Sequence, residues 1–174
     1  FSFINEVFQR CYLNDKNTKT YFESLANNEN NSNYTRYIFF YLNYLIENNR
    51  YDEAKVITDE LDYLNSSLLI SQAKYWIEGQ KLREFRKIFS CKNSNDIVSE
   101  LFFLVANLYS SQGDYERSNF YLNISHHLNS KFIFNLSLLA DNYYLNKDYA
   151  KTLKILDFFS NKDFFYYWFK LKMK

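Results

Sequence analysis

The sequence predicts an all-α protein. Three observations carry that expectation: 174 residues contain no proline and only two glycines, apolar residues recur at helical spacing, and short Asn-, Asp- and Ser-rich breaks separate the apolar segments. A sheet protein of this size needs tight hairpin turns with positive φ, usually at Gly or Asn-Gly. Gly79 and Gly113 are too few for that, and no Asn-Gly pair occurs. Helices joined by polar turns avoid both residue types, because proline is costly and glycine weakening inside a helix. The aromatic content of 21%, from 17 Tyr, 18 Phe and 2 Trp, is then helix-packing material, and the 47% apolar fraction is enough for a core.

The elements follow in order. Over Phe3–Tyr12, Ile4, Val7, Phe8 and Cys11 share one helical face; over Thr18–Ala26, Tyr21, Phe22 and Leu25 share another. These two segments predict a divergent N-terminal hairpin, residues 1–33, closed by the Asn-rich turn Asn27–Asn33. From Tyr34 onward the chain reads as pairs of helices of about 10–15 residues, the spacing expected of antiparallel hairpins. Residues 34–174 are expected to hold about four hairpins, with Phe164–Met173 as a further helix. The chain opens on Phe1 and closes on an aromatic run without a cap, as a piece of a longer protein would. Such uncapped ends would also favour self-association.

A period emerges when ANLYSSQGDYERSNFYL, from Ala106, is set above ADNYYLNKDYAKTLKIL, from Ala140. Ala106 aligns with Ala140, Tyr109 with Tyr143, Asp114 with Asp148, Tyr115 with Tyr149 and Leu122 with Leu156. Each pair lies 34 positions apart. On these residues the sequence resembles the tetratricopeptide (TPR) repeat family. Phe102, Val105, Ala106, Tyr109, Gly113, Asp114, Tyr115 and Ser118 fit one copy of its pattern. Leu136, Leu139, Ala140, Tyr143, Asp148, Tyr149 and Thr152 fit the next, with Lys147 at the turn glycine. Ile38, Tyr41, Leu42, Leu45, Tyr51 and Ala54 fit an earlier copy. The intervening one keeps Ala73 and Trp76 but puts Glu84 or Phe85 where a small residue belongs.

The resemblance implies a right-handed α-solenoid, in which each hairpin leaves an apolar face that its neighbour must cover. Alanine, serine and threonine at the crossings let helix axes approach to about 8–10 Å. Asp114 and Asp148 stand where a carboxylate caps the second helix of a pair. The resemblance also implies a concave groove lined by the first helices: Arg36, Phe39, Asn43, Ile46 and Glu47 in one copy; Glu100, Phe103, Asn107, Ser110 and Ser111 in another; Phe134, Ser137, Asp141, Tyr144 and Leu145 in the last. Asn43 and Asn107 stand where family members use asparagine to hold a peptide backbone. Phe39 and Phe103 replace the lysine of the family's carboxylate clamp, so a C-terminal carboxylate is not the expected ligand. Aromatic, amide and acidic groups together suit a protein or peptide segment with apolar anchors.

Other chemistries lack their residues. With 21 Lys+Arg against 20 Asp+Glu, the net charge of +1 offers no basic surface for nucleic acid. No apolar run reaches the roughly 18 residues of a membrane span. Adjacent His126 and His127 point about 100° apart on a helix and cannot share a metal as an i, i+4 pair does. Two cysteines, Cys11 and Cys91, are too few and too distant in sequence for a disulfide scaffold or zinc site, and Cys91 reads as a loop cysteine beside Lys92. No nucleophile, metal or phosphate-binding motif occurs, so neither catalytic residues, metal nor cofactor are expected. A non-enzymatic interaction scaffold is the leading expectation. A helical-repeat RNA binder and the regulatory repeat portion of a larger enzyme or sensor are the alternatives. The compartment is left open, with a slight lean to the cytoplasm.

Overall fold

A computed structural model describes residues 2–27, 34–61 and 67–160. All regular structure among them is helical: α1 (Ser2–Tyr12), α2 (Thr18–Ala26), α3 (Tyr34–Glu47), α4 (Tyr51–Glu60), α5 (Leu68–Glu78), α6 (Arg83–Ile88), α7 (Ser94–Ser111), α8 (Tyr115–Leu128), α9 (Asn135–Leu145) and α10 (Tyr149–Leu156). The helix expected over Phe164–Met173 lies outside the described residues. The chain divides into two compact units, Phe1–Ser94 and Asn95–Lys174.

One turn geometry recurs between paired helices. Asn14, Asn49, Gln80, Gly113 and Lys147 all have positive φ, between 53° and 77°, and follow one another at intervals of 31 to 35 positions. In each turn the amide of that residue donates to the carbonyl three back, and the next amide donates to the carbonyl five back. Gly113 to Ser110 with Asp114 to Tyr109 is one example; Lys147 to Tyr144 with Asp148 to Tyr143 is another. This is the Schellman ending, which satisfies carbonyls left over at a helix C-terminus. Only one of the five positions is glycine, so the left-handed conformation is held elsewhere by Asn, Gln or Lys at a modest steric cost. Asp114 and Asp148 then cap the following helices, accepting from the amides of Arg117 at 3.1 Å and Lys151 at 3.2 Å.

In the first unit α3 is central and packs against α2, α4, α5 and α6. Its sequence YTRYIFFYLNYLIE carries Arg36, Asn43 and Glu47 on one helical face, yet ten residues from Arg36 to Ile46, including the first two of these, are buried. Aromatic rings fill the space around it: Phe40 lies 5.3 Å from Phe8 and 4.5 Å from Phe89, and Phe39 stacks on Phe85 at 5.6 Å. Phe85, in the place expected for a small residue, is fully buried and meets Trp76 edge-on at 5.2 Å. The helix that carries it, α6, has only six residues.

The second unit is held by α8 against α9 and by α9 against α10. Ala106, Ala140 and Ser118 are completely buried, and Thr152 is 2% exposed. These small residues leave no room for a larger side chain. Ala140→Leu is therefore expected to destabilise the protein by about 1–3 kcal/mol through overpacking, and Ala106→Leu likewise. Urea denaturation of each variant checks this; no change in midpoint would mean that neither alanine lies at a packed crossing.

Candidate interaction surface

The residues expected to line a groove separate into two groups. Arg36, Phe39, Asn43 and Ile46 are buried in the first unit, and Glu47 is half-buried. The Asn43 amide donates to the carbonyls of Phe85 at 3.1 Å and Phe89 at 3.0 Å. The side chain expected to grip a ligand backbone thus grips the chain's own backbone, at the end of α6. This corrects the expectation for these positions: α3 is enclosed, so they line a core. Arg36, Asn43 and Glu47 share one helical face, so nothing local in the sequence shows that this side is covered.

In the second unit Glu100 and Phe103 are also buried, at 1% and 6% exposure, and do not present a surface. Asn107 and Asp141 are half-buried, whereas Ser111 and Tyr144 are exposed. Asn107 and Ser111 share one side of α7 by their i, i+4 spacing; Asp141 and Tyr144 share one side of α9 by i, i+3. Tyr144 meets Tyr149 edge-on at 5.6 Å. The two helices are joined where the Ser110 hydroxyl donates to Asn142 Oδ1 at 2.6 Å.

That bond belongs to a buried polar cluster that sequence reasoning missed. The Asn142 amide donates to Ser118 Oγ at 2.7 Å and to Asn119 Oδ1 at 2.9 Å, tying α9 to α8 as well as to α7. A second cluster lies nearer the start of α7: the Ser99 hydroxyl donates to the Ser125 carbonyl at 2.8 Å, and the Asn135 amide donates to Ser125 Oγ at 2.9 Å. Both clusters satisfy their buried groups, which is what a core position demands of a polar side chain. In an Asn- and Ser-rich chain nothing local distinguishes these residues from solvated ones.

Several titratable groups are tied together by ion pairs and a hydrogen bond. A cleft of about 460 Å³ beside α2, α3 and α4 is lined by Glu23, Tyr41, Asp52 and Glu53 among others. Lys19 bridges Glu23 at 3.1 Å and Glu53 at 2.8 Å, and Arg50 also pairs with Glu53. The Lys19 hydrogen bond holds the Glu53 carboxyl below the usual carboxylate range. Burial, aided by its bond to Glu23, pushes the Tyr41 phenol well up. His126, in the last turn of α8, sits edge-on to Phe158 at 5.9 Å, and burial followed by repulsion from His127 lowers its pKa. Among the described residues no group of three or more His, Cys, Asp or Glu could hold a metal ion, and no helix is long and apolar enough to cross a membrane.

The cysteines depart from expectation. Cys11, in the last turn of α1, and Cys91, after α6, are joined in a disulfide with Cα atoms 5.8 Å apart. Distance along the chain was the reason for treating them separately; the packing of Phe8 against Phe89 at 5.5 Å brings them together. Cys91 does lie in the segment between α6 and α7, beside Lys92, but it is buried and bonded to Cys11.

Comparison of the chain with protein-family models, curated proteins and solved structures gave no match.

Proposed function

We propose that this chain is a non-enzymatic interaction scaffold, a TPR-like array of helical hairpins that binds a protein or peptide segment through the inner side of α7 and α9. The observation that carries the reading is the equivalence of Asn107 and Asp141. They lie 34 positions apart on helices of like place in their hairpins, both half-buried, and each is accompanied one turn on by an exposed side chain, Ser111 or Tyr144. The recurrent turn geometry and the buried alanines at the same spacing support a repeated unit. In this reading Asn107 pairs with a ligand backbone, Tyr144 supplies an aromatic anchor and Asp141 selects for a donor or a cation. The binding role falls on the second unit because the matching positions of α3 are enclosed.

The test begins with capture of partners by the full-length protein from its own cells, followed by affinity measurement with the purified partner. Asn107→Ala and Tyr144→Ala should each weaken binding by roughly tenfold, the size of a contact worth about 1.4 kcal/mol. Phe120→Ala, an exposed aromatic on α8, should leave affinity unchanged. Equal affinity for all three variants and the parent would remove α7 and α9 from the binding surface.

A further inference from the structure

We infer that the Cys11–Cys91 bond makes the first unit's fold dependent on an oxidising compartment. The chain has two cysteines only. They are separated by 80 positions, yet their Cα atoms stand 5.8 Å apart, within the span a disulfide requires. Their residues are 2% and 1% exposed. One belongs to the first helix of the unit and the other follows its last, so the bond closes nearly the whole unit into a single loop. Long loops are where a cross-link restricts the unfolded chain most.

The surroundings make this a structural bond rather than an exchanging one. Neither sulfur is open to an external thiol while α1 is docked. Cys91 Sγ lies 4.0 Å from Glu47 Oε2, and both cysteines are buried. A redox-active cysteine is instead open to its exchange partner.

The bond must therefore form while the unit is still opening and closing. An external disulfide, such as that of an oxidoreductase or glutathione disulfide, is attacked by one cysteine thiolate to give a mixed disulfide. The second cysteine then displaces the carrier. The two thiols of this chain lose two protons and two electrons, and the external disulfide becomes two thiols. Reducing compartments run that exchange backwards, whereas exported and other oxidising spaces drive it forward. The slight lean to the cytoplasm drawn from the sequence is replaced by this assignment.

The test uses the protein as its own cells make it, with thiols blocked by an alkylating reagent at lysis. After denaturation without reductant no alkyl group should be found on either cysteine, and proteolysis should release the Cys11 and Cys91 peptides joined. Reductant should then expose both thiols, at least tenfold faster in denaturant than in native buffer. Complete reduction should lower the first thermal transition by roughly 10 °C or more, and Cys11→Ser with Cys91→Ser should do the same. Should that double variant fail to fold, the reduced parent protein supplies the comparison. Alkylation of both cysteines at lysis, or an unchanged melting temperature after full reduction, would overturn the inference.

Discussion

Replacing Phe40 with alanine is expected to lower stability by ~3–5 kcal/mol, the largest single effect in the first unit. The ring is 1% exposed and lies between Phe8, from α1, and Phe89, beyond α6. Those two rings come from opposite ends of the unit's sequence and are tied further by the disulfide between Cys11 and Cys91. A cross-link restrains how far the cavity left by Phe40→Ala can collapse, and a cavity that cannot collapse carries the full penalty. Against a total of about 5–15 kcal/mol for a typical domain, the loss is large enough to separate this unit's unfolding from the other's. Urea denaturation followed by helical circular dichroism measures it. Phe120→Ala is the matched control: at 62% exposure the same deletion should stay within about 0.5 kcal/mol. A Phe40→Ala loss as small as the control's would place Phe40 outside the core.

The second large effect is expected from Asn142→Ala, at roughly 2–4 kcal/mol. Asn142 is fully buried, accepts from Ser110 and donates to Ser118 and Asn119. Truncation removes three hydrogen bonds and leaves the buried Ser118 hydroxyl and Asn119 carbonyl short of a partner, which costs more than the bonds themselves contribute. The mechanism has a second consequence. Ser118→Ala should be markedly less harmful in the Asn142→Ala background than in the parent, because the orphaned hydroxyl is then gone. A double-mutant cycle by chemical denaturation reads this coupling directly. Additive losses would show that Asn142 and Ser118 do not act through one another.

These two residues also mark what could be read from the sequence. Helical content followed from the missing proline and glycine, and the caps Asp114 and Asp148 from their places before apolar runs, because both are local properties of the chain. The buried alanines were legible through their 34-residue spacing. Phe40 carries no local mark of being the centre of a closed aromatic cluster. Its environment depends on α1 and on the segment after α6, which are remote in sequence. The groove on α3 was misread for the same reason. Arg36, Asn43 and Glu47 form a polar stripe on α3, and only the packing of α5 and α6 against that helix shows that it is enclosed. Asn43 illustrates the cost: an amide expected to face a ligand is used to hold Phe85 and Phe89. Asn142 and the paired cysteines carry no local signal at all, since their partners are fixed by tertiary packing.

The central claim is that binding falls to α7 and α9 while the equivalent side of α3 is closed. Hydroxyl-radical footprinting of the intact protein, alone and with its captured partner, tests it most directly, because Phe and Tyr rings are labelled according to their exposure. The account predicts that Tyr144, 44% exposed, is labelled in the free protein and protected in the complex, while Phe39, fully buried, is unlabelled in both. Labelling of Phe39 in the free protein, or a Tyr144 signal indifferent to the partner, would contradict it.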